Sequence, residues 1–233
     1  MRELNIDKGL LNQYPKLETK KTSSGIILLY SKDELLKINR KYSHLLGLEK
    51  EEDILPHIKK YLNSMILDEK KFLLLEQKQK NIKNTIFPLG IIKYDGKLVG
   101  TILHYFKNSI FLDEYLKKYP NNFYFVLSKL LETIFELFSE YIYPTDLYCN
   151  VIVGENMIPH LIDLDDEWLK ITSKKDTALE SYVCESFKIF IKDFAYSFGF
   201  LKEIREEIDN VSNNYNDLKY ELQKIERVRK NSN

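Results

Sequence analysis

The spacing of apolar residues changes character near Phe106, and that change limits what the chain can fold into more than any other feature. Before it, apolar residues come in short runs broken by turn residues: Gly25-Ile-Ile-Leu-Leu-Tyr30, then Ser31-Lys-Asp33, then Glu34-Leu-Leu-Lys-Ile38. Two such runs about a short polar turn predict a β-hairpin. A second hairpin is predicted at Ile86 to Lys93 and Leu98 to Phe106, because Tyr94-Asp-Gly-Lys97 supplies an Asp-Gly turn that tolerates positive φ. Between the hairpins, Ile54, Ile58, Tyr61 and Leu62 fall at helical spacing, with Pro56 in the first turn. A second helix is expected over Leu67 to Gln79, carrying Phe72, Leu73, Leu75 and the acids Glu69 and Glu76.

Beyond Phe106 the pattern is mainly helical. Leu112 to Lys118 predicts a short helix ended by Pro120. Asn121 or Asn122 then caps a long helix to about Glu140 that buries Phe125, Leu127, Leu130, Leu131, Ile134 and Phe138. Residues 176–208 predict one or two helices interrupted near Gly199, and Asn213 to Arg229 a final charged one, with the tail from Lys230 to Asn233 frayed. The expected fold class is α+β: a β-rich domain of residues 1–106 and a mainly α-helical one of residues 107–233, joined near Phe106 to Ser109.

Of the 233 residues, 44% are apolar and 13% aromatic, enough to build a sizeable core. Thirty-five basic residues balance thirty-five acidic ones, so no global field draws the chain to nucleic acid or an anionic membrane, and neither is expected as a partner. Met1-Arg-Glu-Leu-Asn-Ile-Asp has no apolar signal core, and no apolar run reaches membrane-spanning length. Cys149 and Cys184 form no disulfide framework and no metal-ligand spacing. A soluble, cytoplasmic protein in a reducing compartment is the expectation.

The chemistry concentrates in Tyr143-Pro-Thr-Asp-Leu-Tyr-Cys-Asn-Val-Ile-Val153 and Leu161-Ile-Asp-Leu-Asp-Asp166. An acid, an amide shortly after it, an apolar strand, a turn and a second strand ending in carboxylates make a compact arrangement for metal-bound phosphate. Asp146 can orient or deprotonate a hydroxyl, while Asn150 and Asp163 can hold magnesium. Asp163 and Asp165, on alternate positions of an extended strand, point the same way.

The order along the chain is a hairpin with a lysine, a helix with a glutamate, a second hairpin, a junction, a long helix, an Asp/Asn loop and an Ile-Asp strand end. It resembles the protein kinase-like superfamily, which includes eukaryotic-type protein kinases and the aminoglycoside and choline phosphotransferases, over roughly residues 17–200. The resemblance implies a bilobal fold with a small antiparallel β-sheet N-lobe, a mainly α-helical C-lobe, and ATP and Mg2+ as cofactors. Lys37, in Leu35-Leu-Lys-Ile38, then pairs with the α- and β-phosphates, and Glu76, or failing it Glu69, positions the lysine. Lys20-Lys-Thr-Ser-Ser-Gly25 stands where the family has its glycine-rich phosphate cover, leaving Gly25 and the hydroxyls of Ser23 and Ser24. Backbone groups at His104, Tyr105 and Phe106 meet adenine. Asp146 orients the acceptor hydroxyl, and Asn150, Asp163 and Asp165 serve the metal.

The chain departs from the family pattern in several places. Pro144 replaces a histidine, and the interval from Asp146 to Asn150 is one residue shorter than the family's, so that alignment on Asn150 puts Thr145 in the catalytic position. An acid follows Asp163-Leu164 where a glycine is usual, and no Ala-Pro-Glu-like segment follows Asp166. Two functions stay open: a phosphotransferase acting on an alcohol group of a small molecule or a protein, and a pseudokinase that binds nucleotide or a partner without transfer.

Overall fold

The computed structural model describes residues 1–7, 9–17, 24–64, 67–147, 150–164, 169–197 and 208–232. They form a mixed α+β structure that divides into two compact units. Unit 1 contains residues 1–80 and 86–107; unit 2 contains residues 81–85 and 108–164 and the described residues from 169 onward.

Unit 1 is built on one five-stranded sheet. Its strands are β1 (Arg2–Ile6), β2 (Gly25–Leu29), β3 (Glu34–Asn39), β4 (Gly90–Tyr94) and β5 (Lys97–His104), in the order β1-β4-β5-β3-β2. The two predicted hairpins are present, β2 antiparallel to β3 and β4 to β5. Asp95 and Gly96 both take positive φ, 48° and 71°, the pair of left-handed residues that lets a tight turn follow the strand twist. Period-2 alternation sends Ile26, Leu28, Leu36 and Ile38 into one core with Ile92, Val99 and Ile102. β4 begins only at Gly90, so residues 86–89 lie outside the strand predicted for them. β1, which local pattern did not indicate, pairs parallel with β4.

Two helices follow β3. α1 (Pro56–Ser64) starts at its proline, and Ile54, Ile58 and Leu62 make a small cluster of their own. α2 (Glu69–Lys78) is capped by Asp68, whose carboxylate accepts from the N–H groups of Lys70 and Lys71, and it buries Phe72 and Leu75.

Unit 2 contains β6 (Ile110–Phe111), α3 (Leu112–Lys118), α4 (Phe123–Ser139), β7 (Ile142–Pro144), β8 (Val151–Val153), β9 (Pro159–Leu161), β10 (Leu169–Ile171), α5 (Thr177–Ser197) and α6 (Tyr215–Ser232). α4 buries Leu127, Leu130, Leu131, Ile134 and Phe138 as its spacing requires, but Phe125 is 41% exposed. Two residues before Leu127, it lies about 200° around the helix from it. Asn122 precedes α4 without capping it; its amide donates instead to the Tyr115 hydroxyl at 2.8 Å. α6 extends to Ser232, beyond the expected end at Arg229. α6 packs on α4, with the Tyr215 ring stacked on Phe135 at 4.0 Å. β10, also unpredicted, pairs with β7. Gly199 and Trp168 lie outside the described residues. Among the described residues, no helix is long and apolar enough to cross a membrane.

Candidate functional site

In unit 1, Lys37 sits mid-strand in β3, between Ile27 of β2 and Thr101 of β5, and is half-buried. Two glycines make its place. A Cβ on Gly25 would lie 3.1 Å from Lys37 Cγ, so the bare glycine leaves room for the lysine stem. A Cβ on Gly100 would fall 2.3 Å from the Lys37 carbonyl oxygen, a distance no side chain tolerates. Ser24 is half-buried and its carbonyl accepts from the Arg40 N–H at 2.8 Å; Ser23 lies outside the described residues.

His104 is the exposed last residue of β5, its ring edge-on to Phe106 at 4.5 Å. The Tyr105 N–H donates to the Asp33 carbonyl at 2.8 Å. Of the main-chain groups expected to meet adenine, that donor is therefore already used inside the protein.

Both candidate glutamates of α2 are engaged with cations other than Lys37. Glu76 lies 2.9 Å from the amino group of Met1, and Glu69 lies 3.2 Å from the Lys93 ammonium. Lys93 also meets Glu3 at 2.8 Å, and its hydrogen bonds to Glu3 and Glu69 raise its pKa.

In unit 2, a hydrogen bond links two of the predicted residues, Asp146 and Asn150, and a third, Asp163, follows a residue bonded to Asn150. β7 leads into the loop carrying Thr145 and Asp146, both half-buried, and Leu147, 1% exposed, fastens that loop to the core. The Asn150 side chain donates through Nδ2 to the Asp146 carbonyl at 3.4 Å. Asn150 immediately precedes β8, and its own carbonyl accepts from the Ile162 N–H at 2.9 Å, which brings the end of β9 alongside. Asp163 follows directly, half-buried and in the left-handed region with φ 62°. Asp165 lies outside the described residues, and among those described no three His, Cys, Asp or Glu side chains cluster as a metal site.

Two polar arrangements had no place in the expectations. The buried Tyr143 hydroxyl accepts from the Asp176 N–H at 2.9 Å, while Asp176 caps α5 by accepting from Ala178 and Leu179. The sequence signal was Asp176-Thr-Ala ahead of an apolar run. In unit 1 the Arg40 guanidinium, 4% exposed, grips Glu49 through two bonds of 2.9 and 2.8 Å, and the Ser43 hydroxyl bridges the Arg40 carbonyl and the Glu49 carboxylate. Burial opposes the Glu49 charge, but the hydrogen bonds and charge of Arg40, with Lys16 and Ser43, hold its carboxyl below the ordinary value. An Arg and a Glu nine positions apart carry no local pattern that announces such a pair.

Compared with known proteins, the chain matches no family model and no curated protein sequence.

Proposed function

We propose that this chain is an ATP- and magnesium-dependent phosphotransferase of reduced, bilobal kinase-like fold, with unit 1 its nucleotide-binding lobe and unit 2 its catalytic lobe. The observation that carries the reading is the orientation of Asn150. Its Nδ2 donates to the Asp146 carbonyl, which leaves Oδ1 as the atom a metal would meet, and its backbone carbonyl bonds the N–H of Ile162, the residue before Asp163. An amide oxygen and a carboxylate are the hard donors magnesium takes, usually one or two from protein with phosphate and water completing the shell. Asn150 and Asp163 would hold the magnesium, which when bound would neutralise charge on the nucleotide's phosphates.

The chain's own groups do the rest. Lys37, on a stem threaded past Gly25, offers a point charge to phosphate. Asp146 orients the acceptor hydroxyl and takes its proton as the new O–P bond forms and the bond from the γ-phosphorus to the bridging oxygen breaks. The left-handed backbone of Asp163 supports the reading too, because strained non-glycine residues gather at ligand-holding loops.

A pseudokinase is the second reading, and the engagement of Glu69, Glu76 and the Tyr105 amide elsewhere favours it. Labelled ATP separates the two. An active enzyme releases or transfers the γ-phosphate in the presence of magnesium, loses that activity in Asp163→Asn, and slows by about 10²–10⁴ in Asp146→Asn. A pseudokinase is stabilised by ATP with magnesium yet yields no labelled product.

A further inference from the structure

The turn between β8 and β9 carries a thioether with a hydrogen-bond donor aimed at it. Met157 is 41% exposed there, and the Asn122 side-chain amide donates to its sulfur at 3.5 Å. We propose that Met157 is a site of reversible oxidation whose sulfoxide oxygen is received by the Asn122 amide, so that oxidation fastens the turn instead of loosening it. The turn lies at the opposite end of the β8–β9 hairpin from Asn150 and Asp163, and the inference does not rest on the function proposed above.

Of the three methionines, Met1 has a side chain only 2% exposed and Met65 lies outside the described residues. Met157 is therefore the described one that a dissolved oxidant reaches. The turn holds it in place. The Met157 N–H donates to the Gly154 carbonyl at 3.1 Å and the Gly154 N–H to the Ile158 carbonyl at 3.2 Å, while the Asn108 amide donates to the Glu155 carboxylate at 2.6 Å.

Asn122 Nδ2 carries two hydrogens, and its other acceptor is the Tyr115 hydroxyl at 2.8 Å. A thioether sulfur accepts and does not donate, so it fixes the nitrogen end of the amide toward Met157. It is also a weak acceptor, which leaves that N–H poorly used. Oxidation makes the side chain polar, and that disrupts apolar surroundings; here the side chain is at the surface with a donor already facing it. An unbranched side chain with three rotatable bonds has the freedom to admit the added oxygen. With hydrogen peroxide as oxidant, a sulfur lone pair attacks one peroxide oxygen, and the S–O bond forms as the O–O bond breaks. Sulfur gives up two electrons, and the proton of the transferred oxygen joins the departing hydroxide, which leaves as water. In the reverse step two thiols of a sulfoxide reductase release the oxygen as water and become a disulfide.

The test treats the full chain, as wild type, Asn122→Ala and Met157→Leu, with dilute hydrogen peroxide beside free methionine. Peptide mass mapping should find one added oxygen on the Met157 peptide by the time the free methionine is half oxidised. The thermal midpoint of the wild type should then hold or rise while that of Asn122→Ala falls, widening the gap between them by about 2–4 °C. The change in that gap cancels the Tyr115 bond, which Asn122→Ala lacks before and after oxidation, and the shift of Met157→Leu, subtracted from both, removes the other methionines. The Asn122 side-chain amide resonances should move on oxidation of the wild type and stay in place in Met157→Leu. Met157 left unmodified overturns the site. A fall in the corrected wild-type midpoint, an unchanged gap, or unmoved Asn122 resonances overturns the bond and with it the proposal.

Discussion

Asn150 and Asp163 are held by different means. Asn150 is fixed through its side chain on the Asp146 carbonyl and its backbone on Ile162, whereas Asp163 holds a backbone conformation that most residues resist. Asparagine tolerates that conformation as well as aspartate does. Asp163→Asn should therefore leave stability within about 1 kcal/mol in urea unfolding while abolishing magnesium-dependent nucleotide binding. Glu49 makes a second prediction. Its carboxyl is held below the ordinary glutamate value, so its contribution is complete above that value and is lost as pH falls through the lower folded-state one. Glu49→Ala should cost about 3 kcal/mol at neutral pH by leaving the buried guanidinium without its carboxylate, and should flatten the fall in stability below pH 4.5. Cys184 makes a third: burial first, then the Glu180 charge, push its thiol up to about 11, against a smaller opposing effect of Lys188. Peptide mapping after iodoacetamide treatment at neutral pH should find Cys184 modified only in denaturant.

At the scale of elements, legibility followed the range of the interaction. The hairpins β2–β3 and β4–β5, the capped helix α2 and the helices α3 and α4 are specified by residues within a few positions of one another, and, the later start of β4 at Gly90 apart, each stands close to its predicted bounds. β1 and β10 are short strands whose partners lie far along the chain, Leu4 opposite Ile92 and Lys170 opposite Tyr143, so no local alternation marks them. The same division runs through the site. Asp146, Asn150 and Asp163 stand out in sequence because their strands flank them, while the bonds that occupy Glu76, Glu69 and the Tyr105 amide join positions remote in sequence and could not be read from it. Phe125 shows a different limit: the apolar face of α4 is broad, and composition alone does not say which aromatic falls outside it. Gly100 tests how tightly β3 is seated. An added Cβ meets the Lys37 carbonyl, so Gly100→Ala must shift one strand, with an expected loss of about 2 kcal/mol in denaturant unfolding.

For the whole molecule, the proposed function requires binding of a magnesium nucleotide in which the Asp163 carboxylate takes part. The most direct measurement is the thermal midpoint of the full chain with ATP, with and without magnesium, for the wild type and Asp163→Asn. At an ATP concentration about a hundred times the dissociation constant, the wild type should gain roughly 5 to 10 °C with magnesium present. That gain should vanish when magnesium is removed and in Asp163→Asn. A wild-type midpoint unmoved by ATP and magnesium together would contradict both the phosphotransferase and the nucleotide-binding pseudokinase.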